Sequence, residues 1–338
     1  MTRSVIARLI AAASLALAPL SVAQANDFES AFDSAFGTDL RAPREFSPDY
    51  SDPLARQIAQ LADGSSGRIG VAAIDLSTGR QISVLGDQRF PMASTSKIAI
   101  AATYLEGVEQ GKFSLTSEFP LLWSVRSTPF STAAAPVRQG EYMTALDLID
   151  LMITRSSNPA TDALLAAVGG PAAVNDWARR AGLRDFELTR DIATLVRDDG
   201  EFDPAVHVDM RDSATPQTMV ALLAGLYQGK WLSQQSRSVI LDAMARCRTG
   251  ARRIRGQMPG DVSVAHKTGS LNNTSSDIGI ITAPDGRSYV VAIYVTGQGS
   301  RGNREARIAS IARAIYDGYS QNGRQFANAT YGTAANAN

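Results

Sequence analysis

Five β-rich stretches bracket a long helical block, and that order constrains the fold more than any other feature of this 338-residue chain. Near the start, "RIGVAAIDL" and "QISVL", joined by "STGR", read as a hairpin. Near the end, "VSVAHKTGS", "DIGIITA" and "SYVVAIYVT" follow one another across short turns. Between them "STSKIAIAATYLEGVEQ", "TALDLIDLMITRS", "NPATDALLAAVGG", "PAAVNDWARRAG", "TPQTMVALLAGLYQG" and "SQQSRSVILDAMARC" carry helical patterning. The prediction is an α/β (α+β) fold, one five-stranded, mainly antiparallel sheet flanked by helices, with an all-α subdomain inserted. The sheet subdomain takes 54–89 plus 216–320, closed by the helix "NREARIASIARAIYDGY", and the helical subdomain takes 90–215. Residues 26–53 read as an extended lead-in. The polar, Asn- and Ala-rich 321–338 read as a disordered tail.

The first 25 residues read as an export signal. Arg3 and Arg8 precede the apolar "LIAAASLALAPLSV", and "AQA" at 23–25 is a small-x-small cleavage site. No later run is long and apolar enough to span a bilayer, so a monomeric periplasmic or secreted protein without stable membrane insertion is expected. Net charge is zero, which argues against nucleic acid as a partner. Cys247 is the only cysteine, so no internal disulfide can form. His207 and His266 are the only histidines, and neither sits in a metal-binding spacing. No metal and no cofactor are expected. "GQGSRG" at 297–302 matches a dinucleotide-loop pattern, but only one helix follows, so it reads as a turn entering that helix.

Chemistry concentrates elsewhere. Only four of the 33 basic residues are lysine. Arginine keeps its proton, whereas a desolvated lysine can lose it and act as a base. Two of the four stand in chemically suggestive places. In "PMASTSKIAI", Ser94 and Lys97 lie three apart where a helix should begin near Ser94, which puts both side chains on one face. A serine hydroxyl becomes a nucleophile only when a base takes its proton. S-x-x-K alone is a common pattern with a bland reading, a capping serine and a surface lysine. Two later stretches make it more specific. "SSN", Ser156 to Asn158, sits at a helix junction, and "HKTGS", 266–270, ends a strand.

S-x-x-K, S-x-N and K-T-G in that order resemble the signature of penicillin-recognising serine enzymes, the class A β-lactamases and penicillin-binding proteins. "RDSATPQTMVALLAGLYQG" and "SSDIGIITAPDGRSYVVAIYVTG" look like class A segments, and the resemblance covers roughly 54–320. It implies a β-lactamase/transpeptidase-like fold and a small-molecule β-lactam or peptidoglycan-like substrate. Carried onto this chain, it makes Ser94 the acylated nucleophile, Lys97 its base or proton relay, and Ser156 the shuttle to the leaving nitrogen. Asn158 would bind the acylamido side chain. Lys267 would tune Ser156, and Thr268 and Ser270 would hold the substrate carboxylate beside Gly269. The backbone N–H groups of Ser94 and Ser270 would form the oxyanion hole, and Trp123 in "LLWSVRS" would be the aromatic wall of the entrance.

The chain departs from the family pattern at three points. No E-x-x-L-N follows the helical block, and the aligned stretch puts Ile192 where the water-activating Glu would stand. Glu187, Asp191 and Glu201 are the candidate replacements. "SSN" stands for the commoner S-D-N. The arginine usual opposite K-T-G has no clear equivalent, Ser275 being nearest. The expected activity is therefore that of an exported serine β-lactamase. A D,D-peptidase or esterase of the same fold, or a penicillin-binding sensor that acylates without turnover, is the alternative.

Overall fold

A computed structural model describes residues 40–41, 52–63 and 66–334. The export signal and most of the lead-in lie outside the described residues. In chain order the elements are β1 (Leu40–Arg41), α1 (Pro53–Leu61), β2 (Ile69–Asp75), β3 (Gln81–Val84), β4 (Phe90–Pro91), α2 (Lys97–Glu109), β5 (Glu118–Ser124) and β6 (Val137–Thr144). Then come α3 (Ala145–Thr154), α4 (Asn158–Val168), α5 (Pro171–Arg180), β7 (Phe186–Glu187), α6 (Ile192–Arg197), β8 (Val208–Asp209) and β9 (Ser213–Ala214). The chain closes through α7 (Pro216–Tyr227), α8 (Gln234–Ala245), β10 (Ser263–Leu271), β11 (Thr274–Thr282), β12 (Ser288–Thr296) and α9 (Arg301–Ala334).

The main sheet runs β10-β11-β12-β2-β3, every pair antiparallel, as the hairpin-linked stretches predict. Its inner strands β11, β12 and β2 are buried on both faces because both faces are covered, while the edge strand β3 alternates exposed and buried residues. Ala72, Ile278, Ile280, Val290, Ala292 and Tyr294 face the core shared with α2, α3, α7 and α8. Val71, Ala73, Ile281, Val291, Ile293 and Val295 alternate with them and face α1 and α9. Each fully buried Val or Ile contributes about 1.5–3 kcal/mol, so a one-residue register slip would swap two complete cores.

Three expectations change. The block from 90 to 215 is not all-helical: β5 and β6 pair as a separate hairpin, and β4, β9 and β7 form a small sheet. The two-residue strands among these are too short to leave a period in the sequence. "HKTGS" does not end its strand, since β10 continues to Leu271. The tail expected to be disordered continues α9 as far as Ala334. "GQGSRG" is indeed a turn, with Gly297 and Gly299 at positive φ before α9 begins at Arg301.

β10 is an edge strand of the main sheet. Its outer edge faces the short 3-10 turn Ala93–Ser96, and Gly269 makes that approach possible. A Cβ there would meet the Met92 carbonyl oxygen at 2.8 Å and the Ala93 Cβ at 3.1 Å.

Candidate active site

Ser94 does not open an α-helix. It sits in the 3-10 turn Ala93–Ser96, and α2 begins at Lys97. Ala93 has φ of +47°, a left-handed conformation costly for a residue with a Cβ. Internal bonds hold the turn. Thr95 Oγ1 donates to the Met92 carbonyl at 2.7 Å and lies 2.9 Å from the Tyr294 hydroxyl. Ser96 Oγ donates to the Ala93 carbonyl at 2.9 Å. Both flanking hydroxyls are therefore spent on structure and buried, while Ser94 stays half-buried.

Lys97 is fully buried one turn below. Its Nζ donates to the Ser156 carbonyl at 2.8 Å and to Asn158 Oδ1 at 2.8 Å, and it lies 3.3 Å from Ser156 Oγ. A neutral amine has two N–H groups and one lone pair. The two short carbonyl contacts use both N–H groups and leave the lone pair for a hydroxyl. Burial, reinforced by the Lys267 ammonium, pushes Lys97 well below the ordinary lysine range, and the Asp162 charge opposes this.

Ser156 reaches the same point from the α3–α4 junction. Its φ of +59° is another left-handed, non-glycine conformation, and Ser157 caps α4 by accepting from the Ala160 N–H. Gly169 ends α4 at φ +101°, where a side chain would be strained. On the other side, Lys267 of β10 donates to Ser156 Oγ at 3.0 Å and to the Thr268 carbonyl at 2.9 Å. Burial lowers Lys267 to about 8. One hydroxyl thus bridges two buried lysines from different elements.

The K-T-G stretch has a cation that the sequence reading missed. Arg253, buried ahead of the second 3-10 turn (Ile254–Gln257), donates to Ser270 Oγ at 2.7 Å and to the carbonyls of Gly269 and Ser276 at 2.8 and 2.7 Å. Glu305 pairs with it at 3.3 Å. The expectation of no arginine equivalent is corrected: it comes from before β10 rather than from β11. Ser275 instead accepts from Arg304 at 3.3 Å. Only the run of basic residues in "GARRIRG" could have signalled it, and nothing in that run singles out Arg253.

Asp162 was also missed. It lies four residues after Asn158 on α4, is buried, and accepts from the Ile192 and Ala193 N–H groups at 2.7 and 2.9 Å. It thereby fixes the start of α6. Burial raises Asp162 to about 6, the two N–H donors and Lys97 opposing and Asp191 adding to the rise. The candidate deacylation acids are less free than the sequence suggests. Glu187 accepts from Asn175 at 2.9 Å, and Glu201 pairs with Arg211 at 2.8 Å. Asp191 caps α6 through the Thr194 N–H. The loop that carries them is closed by the Arg190–Asp212 ion pair at 2.6 Å, and the Asp212 carbonyl accepts from Met92 N–H at 2.9 Å, beside the Ser94 turn.

Trp123 is 43% exposed on β5, its indole over Gly140 of the partner strand. The loop between β5 and β6 is fastened to α6: the Phe130 N–H donates to Asp198 and the Ala135 N–H to Thr194 Oγ1. A cleft lies beside this region, lined by Pro91, Arg190, Asp198, Asp199, Asp212 and Asn272 among others. His207 lies at its rim, its carbonyl accepting from the Arg68 guanidinium at 3.1 Å.

Residues 53–319 match the beta-lactamase enzyme family, well over half of the chain. This protein belongs to that family. Among curated relatives it is 30% identical to beta-lactamase SME-1 of Serratia marcescens, over 73% of this chain and 82% of the relative. It is 31% identical to beta-lactamase CTX-M-4 of Salmonella typhimurium, over 80% and 90%. An ancestral Gram-negative class A beta-lactamase superposes with a TM-score of 0.68 at 36% identity, covering 78% of this chain and 99% of that one. A beta-lactamase from Chitinophaga pinensis gives 0.69 at 27% identity, over 79% and 100%. The family member described here is thus a serine β-lactamase-type hydrolase of the class A group, as its motifs imply. Among the described residues no helix is long and apolar enough to cross a membrane.

Proposed function

We propose that this protein opens β-lactam rings through an acyl-enzyme on Ser94 and then hydrolyses it. The observation that carries this reading is the convergence of Lys97 Nζ and Lys267 Nζ on Ser156 Oγ, at 3.3 and 3.0 Å, next to the Ser94 turn. Lys97, biased toward its neutral form by burial and by its cationic neighbour, takes the Ser94 proton as Oγ attacks the lactam carbonyl. The oxyanion is met by the Ser94 and Ser270 N–H groups. As the C–N bond breaks, the proton passes through Ser156 to the leaving nitrogen. Lys267, Thr268 and Ser270 bind the substrate carboxylate, with Arg253 behind them, and Gly269 keeps this strand close to Ser94. Asn158 orients the acylamido group and Trp123 walls the entrance. Asp191 is the freest of the three loop acids to assist water, because one of its oxygens accepts from the Thr194 N–H and the other carries no structural partner among the described residues.

A second reading is favoured by one observation. Glu187 and Glu201 are committed to Asn175 and Arg211, and the residue after Asp191 is the apolar Ile192. A site built this way can acylate and release slowly, as a D,D-peptidase, an esterase or a penicillin-binding sensor would. Incubation with a chromogenic cephalosporin followed by intact-protein mass separates the two. Many turnovers without a lasting adduct support the hydrolase; a long-lived adduct on Ser94 favours the binder. Ser94→Ala should abolish both signals, and continued labelling would refute the nucleophile. Residues 1–25 support export to the periplasm or medium, with the signal cleaved after Ala25.

A further inference from the structure

Beneath the K-T-G strand lies a second polar assembly that the reaction above does not use. Asp277 on β11 contacts His266 Nδ1 through both carboxylate oxygens, at 3.0 and 2.9 Å, and both residues are fully buried. The other ring nitrogen, His266 Nε2, has no hydrogen-bond partner of good geometry although no solvent reaches it. It faces Cys247, also buried, where the chain leaves α8. From Cys247 the contacts run on toward the substrate pocket. Its Sγ is 3.4 Å from Thr249 Oγ1, and Thr249 Oγ1 is 2.6 Å from Thr268 Oγ1.

We propose that Cys247 is a positioning residue whose ionisation reverses the Thr249–Thr268 hydroxyl chain and so controls how Thr268 meets the substrate carboxylate. This rests on the reading that Thr268 binds that carboxylate. The argument is one of counting protons. At 2.6 Å a single hydrogen lies between the two threonine oxygens. When Cys247 is a thiol, its S–H can donate to Thr249. Thr249 then donates to Thr268, and the Thr268 hydrogen is free for the substrate. When Cys247 is a thiolate, Thr249 turns its hydrogen to the charged sulfur, the stronger acceptor. The hydrogen between the threonines must then come from Thr268, which presents only lone pairs to an incoming carboxylate.

The surroundings favour the thiolate at moderate pH. Burial alone would raise the thiol, but the His266 ring facing it and the Thr249 contacts overcome it and bring Cys247 below its ordinary range. Burial would likewise lower His266, but Asp277, with Cys247, raises it. The charged groups facing the sulfur are His266 and Lys267 from β10, with Asp277 behind them on β11. Arg253 acts on Lys267 from the second 3-10 turn, and Arg246 on α8 points away to Asp150.

The test compares the full-length enzyme with Cys247→Ser, which keeps a hydroxyl donor but does not ionise. KM and kcat for a chromogenic cephalosporin are measured across pH, while ultraviolet absorbance of the wild-type thiolate records the Cys247 titration directly. The ratio of wild-type to variant KM should rise about fivefold as the thiolate forms, the loss of one hydrogen bond, with kcat much less affected. A β-lactam whose carboxylate is esterified should show no such rise. Parallel KM profiles, or a thiol that stays protonated throughout, would overturn the relay. Failure of the wild type to acylate at all would instead overturn the reading of the site.

Discussion

Gly269→Ala tests whether the approach of β10 to the Ser94 turn sets the reaction geometry. The added Cβ would lie 2.5 Å from Ser276 Oγ, 2.8 Å from the Met92 carbonyl oxygen and 3.1 Å from the Ala93 Cβ. Ser276 can rotate its hydroxyl away. The Met92 carbonyl cannot move freely, because it accepts from both the Thr95 N–H at 3.0 Å and Thr95 Oγ1 at 2.7 Å. Ordinary contact begins near 3.4 Å, so strand and turn must part by roughly half an ångström, at a cost of about 1–3 kcal/mol of overpacking. Because about 1 Å of misplacement can cost ~100-fold, acylation should slow about tenfold, or ~1.4 kcal/mol of barrier. Stopped-flow acylation by a chromogenic cephalosporin reads the rate, and circular dichroism confirms the fold. Gly260→Ala, where nothing lies within 4 Å of the new Cβ, is the control and should match the wild type. A Gly269→Ala enzyme that acylates at the wild-type rate would refute the reasoning.

Three further outcomes follow from the same contacts. Asp162→Asn removes a charge that raises the Lys97 pKa, so the acid limb of the acylation profile should move to lower pH; an unmoved limb would separate Asp162 from the base. Arg253→Met should raise KM for carboxylate-bearing substrates more than it lowers kcat, since the guanidinium supports Ser270 and the Gly269 carbonyl; an equal fall in both would make its role structural. Lys267 titrates near 8 when folded against 10.5 when free, so the folded chain loses this proton first. Its ammonium therefore costs stability in full below pH 8, and the cost fades between about 8 and 10.5. Lys267→Met should abolish acylation yet melt higher at neutral pH, by up to about 3 kcal/mol; a lower melting point would show that the lost hydrogen bonds outweigh desolvation.

How much of this was legible in the sequence depended on whether a residue's role is written locally. Four of the five main strands announce themselves because they run seven to nine residues and are largely buried, β3 shows as the alternating partner of the hairpin with β2, and β10, β11 and β12 are joined by short turns. Ser94, Lys97, Ser156 and Lys267 were found because their motifs are contiguous and lysine is scarce here. What stayed hidden has no local signature. The Ser94 turn is 3-10 rather than α, with Ala93 at positive φ and its Cβ close against Gly269 of β10, a contact across more than 170 residues. Arg253 lies in a run of interchangeable basic residues and is selected only by the carbonyls of β10 and β11. Asp162 reads as one polar position on an apolar helix until α6 is laid against it.

The same logic sharpens the question of release. Acylation draws on Lys97, Ser156 and Lys267, whose side-chain hydrogen bonds run to one another and to their immediate neighbours. Release needs one carboxylate aimed at the acyl carbonyl from a loop, and in this loop structural partners compete for each acid. Glu201 neutralises Arg211, Glu187 holds Asn175, and Asp212 closes the neck through Arg190. Asp191 spends one oxygen on the Thr194 N–H, which leaves the other available. A carboxylate that caps a helix with one oxygen can still hold a water with the second. Asp191→Asn keeps the capping oxygen and removes the basic one. If Asp191 serves release, this variant should acylate at the wild-type rate and accumulate the adduct by intact mass. If turnover persists unchanged, the water is activated from within the lysine pair instead, and the loop is scaffold alone.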